Sequence, residues 1–347
     1  MVVIMKVCQG MEKRITILDK NDLTILPALA RDCRTSYSSI GSQIGLTAKS
    51  VKTRVKKMVS SGVIEKFVVR VNPVAFGFKT AFVLIRASGG ITKDDVIQRV
   101  KEFGELAYHV HHMGSTSMAA LIIKKPLDDN TIQSLNDRLK PSTVLRISVA
   151  EQSVAGSTEL SETDLRIIKC LLMSGARTEI SDIAKEVDIS EKTTTRRLNR
   201  MKESRLLDLS LQCGPAAMIG YIQFIIPIIV AKSHYHNVLE RMYSEFQASI
   251  LYSPSIIQPE NQLTFVLFGE NVFMVDNVLA RVNSFAGVNS ADAYILTKWQ
   301  YYDDWIMKEI NNRLLLRPVL QRSRKILESN KRKFSTKQKK NIGQWMS

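Results

Sequence analysis

Residues 47–60 read TAKSVKTRVKKMVS, and this stretch decides how the rest of the chain is interpreted. Val51, Val55 and Met58 recur at the spacing of a single helix face. The stretch contains no acid, and its basic residues are Lys49, Lys52, Arg54, Lys56 and Lys57. The pattern predicts an amphipathic helix that packs through one face and presents cations on the other.

The segment SSIGSQIG precedes this basic helix and contains Ile40 and Ile44, four residues apart. Gly45, Leu46 and Thr47 indicate the turn between two helices, with Thr47 as the N-cap of the second. A helix, a tight turn and a basic helix form the arrangement that places a helix in the major groove of DNA. The alternative interpretation is a basic helix face that is simply exposed to solvent. Because the chain repeats the pattern, we favour DNA binding.

The chain contains this pattern twice. Residues 160–165 echo residues 18–23 at an offset of 142. The second basic segment, SEKTTTRRLNRMKES at residues 190–204, echoes the first at an offset of 143. A repeat this long indicates duplicated domains rather than a solenoid.

Charge and size favour a multidomain protein with a polyanionic partner. The 347 residues carry a net charge of +16, and the pI is about 9.7. Such an excess favours DNA or RNA first and an anionic membrane surface second. Residues 317–347 contain ten basic residues and one acid, Glu328, so we expect an electrostatic role for this tail.

Cysteine spacing and hydropathy exclude other classes of protein. Cys8, Cys33, Cys170 and Cys213 form no CxxC or Cys/His cluster, which argues against a structural zinc site and a disulfide framework. No apolar run approaches the length of about 18 residues that spans a membrane. The first residues lack the pattern of a signal peptide, so we expect a cytoplasmic protein without a membrane partner.

The order of predicted elements defines the fold class. Each basic helix leads into an alternating strand, interpreted as a wing, and then into a β-α-β-β-α-β series typical of a ferredoxin-like sandwich. We predict an α+β chain with two winged helix-turn-helix domains, each followed by a ferredoxin-like domain. The predicted segments are a lead-in (1–17), helix-turn-helix domain 1 (18–73), sandwich 1 (74–151), a linker (152–159), helix-turn-helix domain 2 (160–212), sandwich 2 (213–297), and a C-terminal helix with the basic tail (298–347).

Residues 18–78 resemble the N-terminal half of the Lrp/AsnC (feast/famine) transcription regulators. The shared features are an acidic helix start, an R-x-S/T-Y turn, a basic recognition helix, a G-V-I wing, and an N-P step into the sandwich. Residues 160–208 match less closely but in register. The resemblance implies DNA binding, facing sheets and an amino-acid-type effector, and two fused copies imply an intramolecular pseudo-dimer able to assemble further. Gly114 to Ser117 keeps the glycine of the family's effector turn without its acid.

These considerations define the candidate site residues. Those expected to contact DNA are Lys49, Ser50, Lys52, Thr53, Arg54, Lys56, Lys57, Lys66, Arg70, Lys192, Thr193, Thr194, Arg196, Arg197, Arg200 and Lys202. The weaker candidates for effector binding are Gly114, Ser115, Thr116 and Ser117. The second basic helix also contains Glu191 and Glu203, so we expect the first copy to dominate affinity on an imperfect palindrome. No catalytic residue, cofactor or metal is expected.

Two alternatives remain at this stage. The siroheme decarboxylases resemble the same fold and use histidines around a tetrapyrrole. Here His109 and His111 share one face of a predicted strand in YHVHHMG, where a porphyrin or a metal is conceivable. Polar positions of a strand at an interface are the favoured interpretation. A DNA-compacting protein without sequence preference is the other alternative, and it differs from a regulator in its specificity ratio.

Overall fold

The structure is a computed structural model that describes residues 17–150, 159–257 and 261–315. The described helices are α1 (Lys20–Arg31), α2 (Tyr37–Ile44), α3 (Ala48–Ser60), α4 (Lys93–Lys101), α5 (Asp129–Leu139), α6 (Glu162–Ser174), α7 (Ile180–Val187), α8 (Glu191–Glu203), α9 (Tyr235–Phe246), α10 (Val272–Asn283) and α11 over residues 304–315. The described strands are β1 (Ile64–Val71), β2 (Lys79–Arg86), β3 (Leu106–His112), β4 (Thr116–Ile123), β5 (Thr143–Ala150), β6 (Leu207–Cys213), β7 (Ile222–Val230), β8 (Ser255–Ile257), β9 (Gln262–Gly269), β10 (Val288–Ala291) and β11 (Tyr294–Tyr301). The predicted lead-in (apart from residue 17), the linker (apart from Glu159) and the basic tail lie outside these ranges.

Each helix-turn-helix domain forms because three short amphipathic helices bury their apolar faces together. In the first domain Ile25, Leu29, Ile40 and Val55 are buried in one cluster. Burial of each such side chain contributes about 1.5–3 kcal/mol, which offsets the poor stability of isolated helices this short. In the second domain α6, α7 and α8 pack in the same way through a separate cluster.

Strands β1 and β6 pair with each other, one from each copy. The pairing is antiparallel, and Val68 lies opposite Ser210. The register shifts between Ile64 and Lys66, where Glu65 forms the extra residue of a bulge. The extra residue in β1 accounts for the step from an offset of 143 in the basic helices to 142 between Pro73 and Pro215, which follow the two strands. The predicted wing is therefore corrected, because β1 pairs with the other copy instead of forming a separate wing.

The two sandwich domains share one sheet of nine strands. The strand order is β5-β2-β4-β3-β11-β7-β9-β8, with β10 paired to β7. The two copies join where β3 of the first pairs antiparallel with β11 of the second. Strands β5 and β8, at opposite ends of the order, contact each other. The ferredoxin-like order predicted for the first copy is thus present, and the seam between copies is a continuous strand pairing.

Two local differences from the sequence prediction have physical reasons. Pro227, a residue type that strands normally tolerate only at an edge or a bulge, lies inside the sheet at the point where β7 changes partner from β10 to β11. The missing proline N–H therefore interrupts no ladder. Residues 299–301, predicted as helix, continue β11 and pair with β3, and the Trp299 ring packs in a tilted arrangement against the rings of Tyr108 and Tyr252.

The helices cover one face of each half-sheet, and the opposite face packs towards the helix-turn-helix domains. Val83, Val96 and Leu139 are buried between the first half-sheet and its helices. Phe82 and Ile122, on the other face, belong to the cluster that contains Leu165 of the second helix-turn-helix domain. The sheet therefore packs against both helix-turn-helix domains through shared hydrophobic clusters.

Candidate nucleic-acid interface

The first recognition helix, α3, begins and ends as its sequence predicts. Gly45 adopts a left-handed conformation with φ of 69° and ends α2. The Thr47 hydroxyl accepts a hydrogen bond from the Ser50 backbone N–H at 3.1 Å, which caps α3. Val51, Val55 and Met58 face the core. This packing leaves the opposite side of the helix for a ligand.

The outer side of α3 presents four cations. Lys49, Lys52, Lys56 and Lys57 are exposed, and none has an ion-pair partner among the residues that the structure describes. Thr53 is exposed between them, and its hydroxyl donates to the Lys49 carbonyl oxygen at 3.0 Å. Unpaired lysines on one helix face are the electrostatic footprint of phosphate binding.

Arg54 differs from these lysines because it is engaged within its own domain. Its Nη1 donates to Asp19 Oδ2 at 2.7 Å and to Asp22 Oδ1 at 2.9 Å. The hydrogen bonds with Asp19 and Asp22 raise the pKa of Arg54. The pKa of Asp19 is lowered by hydrogen bonds from the Asp22 backbone and Arg54, although burial acts in the opposite direction. Arg54 thus ties the recognition helix to the start of α1.

The second recognition helix, α8, repeats this connection with two arginines. Asp164 has no exposed side-chain surface and accepts hydrogen bonds from Arg197 at 3.1 Å and from Arg200 at 2.5 Å. Thr194, predicted to contact DNA, is fully buried, and its hydroxyl donates to the Ser190 carbonyl oxygen. That prediction is corrected, because the position of Thr194 corresponds to the core residue Val51. Thr193 caps α8 together with Ser190.

Few cations of α8 remain free. Lys192 and Arg196 are exposed and have no ion-pair partner among the described residues. Lys202 pairs with Asp32 of the first copy. Thr195 and Asn199 are exposed at the positions that correspond to Lys52 and Lys56. The copies therefore differ more than their net charges suggest, with four free cations on α3 and two on α8 in the described parts of the chain.

Lys66 and Arg70, predicted to touch phosphate from a wing, lie in the paired ribbon instead. The Lys66 ammonium donates to the Tyr301 carbonyl oxygen at 3.4 Å. The Arg70 guanidinium pairs with Asp208 and lies 5.8 Å from the centre of the Tyr252 ring. Both cations thus stabilise the contact between copies, and this geometry does not support the predicted phosphate contacts.

The two helix-turn-helix domains hold each other through reciprocal arginines that the sequence prediction missed. Arg34 Nη1 donates to the carbonyl oxygens of Ala176 at 3.1 Å and Thr178 at 2.6 Å. Arg177 donates to the Cys33 carbonyl oxygen. Arg34 and Arg177 correspond at the repeat offset of 143, as do Cys33 and Ala176. The sequence feature that could have indicated these contacts is the Arg-Thr pair, which recurs at residues 34–35 and 177–178.

The predicted effector residues are Gly114 and Ser115 in the turn between β3 and β4, and Thr116 and Ser117 at the start of β4. Gly114 has φ of 80° and, with Ser115, is exposed. The Thr116 hydroxyl lies 3.2 Å from His112 Nδ1, and the Ser117 hydroxyl lies 2.8 Å from His111 Nδ1. Two of the four residues are therefore already engaged with neighbouring histidines, and effector binding at this turn stays a prediction.

A profile of the AsnC-type helix-turn-helix domain matches residues 18–59 and again residues 160–202. The chain carries two AsnC-type helix-turn-helix domains. The matched ranges contain α1 to α3 and α6 to α8, except for the last residue of α3 and the last residue of α8, so each AsnC-type domain presents one of the basic helices described above. The predicted resemblance to the Lrp/AsnC family is confirmed for this pair of domains.

Similar curated proteins are named as transcription regulators. The transcriptional regulator LrpA of Pyrococcus horikoshii is 31% identical over 91 residues, which is 25% of this chain and 62% of that protein. The transcriptional regulator Rv2324 of Mycobacterium tuberculosis is 40% identical over 80 residues, which is 23% of this chain and 54% of that protein. The chain therefore spans less than two thirds of the length of either regulator.

Among solved structures, that of the siroheme decarboxylase NirDL aligns with 85% of this chain and 99% of its own at a TM-score of 0.44 and 14% identity. A structural similarity this low gives no information about a reaction or a ligand of this chain. In the described parts of the chain, no helix has the length and apolar character needed to cross a membrane.

Proposed function

We propose that this chain is a transcription regulator that binds double-stranded DNA through two non-equivalent AsnC-type domains and is not an enzyme. The observation that carries the proposal is the row of four exposed lysines on α3, which have no ion-pair partner among the described residues, whereas the fifth cation of this helix, Arg54, is paired with Asp19 and Asp22. Lysines in this arrangement neutralise phosphates, and base-edge contacts from the same helix supply specificity. Such a protein acts in the cytoplasm.

The preferred site is an imperfect palindrome. The reciprocal contacts of Arg34 and Arg177 support an internal two-fold relation between the domains, so a single chain supplies the two half-site readers that other regulators obtain by dimerisation. Because α3 has four free lysines and α8 has two free cations among the described residues, the half-site bound by α3 contributes more affinity. Half-sites are expected about one helical turn apart, or a multiple of it.

An amino-acid-type effector between the sandwich domains is the regulatory part of the proposal. The turn from Gly114 to Ser117 lies at the β3 end of the seam between copies, next to the pairing with β11. A ligand bound there contacts both copies and is thereby placed to change how the two recognition helices are held. Further assembly of chains into homo-oligomers is compatible with this arrangement.

Selection from a randomised duplex pool at two salt concentrations tests the function. The protein is used complete and without residues 317–347, and the control is a Lys52→Ala/Lys56→Ala variant. A recovered palindrome with unequal half-sites, lost in the control, is the expected outcome. Tight binding without a motif that disappears with the tail would replace regulation by an architectural role. Absence of binding at moderate salt would overturn DNA binding altogether.

A further inference from the structure

Two histidines and an aspartate meet at the edge of the first sandwich domain. Asp94 lies in the first turn of α4, and His109 and His111 lie two residues apart on β3. Strand alternation therefore places both imidazoles on the same face, below the start of α4. One potential ligand atom from each of the three residues lies within 4.8 Å of the others.

In both histidines a neighbouring hydroxyl group lies within hydrogen-bond distance of Nδ1. The hydroxyl of Tyr302 lies 3.0 Å from His109 Nδ1, and the hydroxyl of Ser117 lies 2.8 Å from His111 Nδ1. Metal-binding histidines are usually held by such a hydrogen bond on the ring nitrogen that does not bind the metal. With Nδ1 of both rings engaged, the nitrogen that would bind a metal is Nε2, which has no partner in His109 and faces Asp94 in His111.

The two Nε2 atoms and the carboxylate already show the features of a ligand set. His109 Nε2 is buried and has no hydrogen-bond partner among the described residues, although buried polar atoms normally have one. His111 Nε2 lies 3.0 Å from Asp94 Oδ1, close to the separation of about 3.3 Å between two ligands of a tetrahedral zinc ion. The His111 side chain is 5% exposed and that of Asp94 is 65% exposed, so the cluster opens to solvent on the Asp94 side.

The Asp94 carboxylate already forms an ion pair with a lysine. Lys298 Nζ lies 2.7 Å from Asp94 Oδ1, and its side chain is 45% exposed. Exposed ion pairs of this kind are weak, so a divalent ion can replace the ammonium group, which then moves into solvent. Lys298 lies on β11 opposite His111, and Tyr302 follows the same strand, so the cluster spans the seam between the two copies.

We propose that Asp94, His109 and His111 form a binding site for a divalent transition-metal ion such as Zn²⁺, with Tyr302 and Ser117 orienting the two imidazoles. Two imidazole nitrogens and one carboxylate oxygen suit Zn²⁺ and leave a coordination position for water. The second copy lacks a corresponding histidine pair, so one ion per chain is expected.

Isothermal titration of the complete, chelator-treated protein with Zn²⁺ alone measures the site, and Co²⁺ provides a visible spectrum that reports ligand geometry. Wild type should bind one equivalent. Asp94→Asn, whose side chain is exposed, and His111→Ala should each lose it. Ser117→Ala should weaken binding by about 10–100-fold, as expected when an outer partner is removed. Lys298→Met, which removes the competing cation, should tighten binding.

The matched control is a His234→Ala/His236→Ala variant, which removes two exposed histidines of the second copy. This variant should keep the full equivalent with unchanged affinity. Loss of binding in the control, or full binding by Asp94→Asn and His111→Ala, would overturn the proposal, as would the absence of binding to wild type. Circular dichroism and thermal melts of each metal-free variant show that a lost equivalent does not reflect unfolding.

Discussion

The guanidinium of Arg54, on the recognition helix, lies 2.9 Å from the Asp22 carboxylate at the start of α1. The Asp22 side chain is only 8% exposed, so the ion pair with Arg54 compensates for the loss of water around this carboxylate. Arg197 and Asp164 repeat the relationship in the second copy. An arginine that sequence alone suggests for DNA recognition thus orients the helix that carries the DNA-binding lysines.

We expect Arg54→Ala to lower the free energy of unfolding by about 1–3 kcal/mol, because it leaves the buried Asp22 carboxylate without its partner. Urea unfolding measures the change. Lys52→Ala on the same helix is the control and should stay within about 0.5 kcal/mol of wild type. Unchanged stability, together with a salt slope of DNA binding reduced by about one unit, would instead show that Arg54 contacts phosphate.

The asymmetry between copies predicts unequal effects of matched substitutions. Lys52→Ala/Lys56→Ala should reduce the slope of log affinity against log salt by about two units, because two phosphate contacts are lost. Thr195→Ala/Asn199→Ala changes the corresponding exposed positions of α8 and should leave the slope unchanged. Fluorescence anisotropy on one duplex at several salt concentrations gives both numbers, and equal slopes for the two variants would contradict the assignment.

The reciprocal arginines predict a coupling between the two domains. Arg34→Ala and Arg177→Ala should each destabilise the protein by about 1–2 kcal/mol, because charged hydrogen bonds to backbone carbonyls are lost. Arg166→Ala is a control, since Arg166 makes an exposed pair with Glu162 within α6 and should have little effect. The double variant should also bind palindromes of altered half-site spacing more readily. If the variants keep the stability of wild type and its preference for half-site spacing, the two arginines do not couple the domains.

Stability at acid pH should depend on Asp164. Burial acts to raise the pKa of this carboxyl, but hydrogen bonds from Ser161 and Arg197 prevail and lower it below its ordinary value of 3.8. The unfolded chain therefore binds this proton first, so the stabilisation is complete above about pH 4 and is lost as the pH falls through the folded-state value. Unfolding of wild type and Asp164→Asn between pH 6 and pH 2 tests this. The stability difference should shrink with acid, and a constant difference would contradict it.

Local sequence patterns predicted the elements well where local interactions determine them. The cap at Thr47 and the apolar stripe of α3 follow from spacing and side-chain chemistry within a few residues. The repeat disclosed two copies. Positions whose role depends on the other copy were less predictable: Arg70 resembled a wing cation but pairs with Asp208. Similarly, the polar character of Thr194 concealed a core position.

The sequence by itself determined the duplicated plan, the helix-turn-helix pattern, the excess of positive charge and the presence of five cations without an acid on α3, because these depend on residue type and short-range spacing. Only the tertiary structure decided which cations are free. Five predicted DNA-binding cations instead form ion pairs with carboxylates of other elements: Arg54, Arg70, Arg197, Arg200 and Lys202. The same folding brought His109 and His111 under Asp94. A cation's availability depends on the distance to its counter-charge, and chain topology sets that distance.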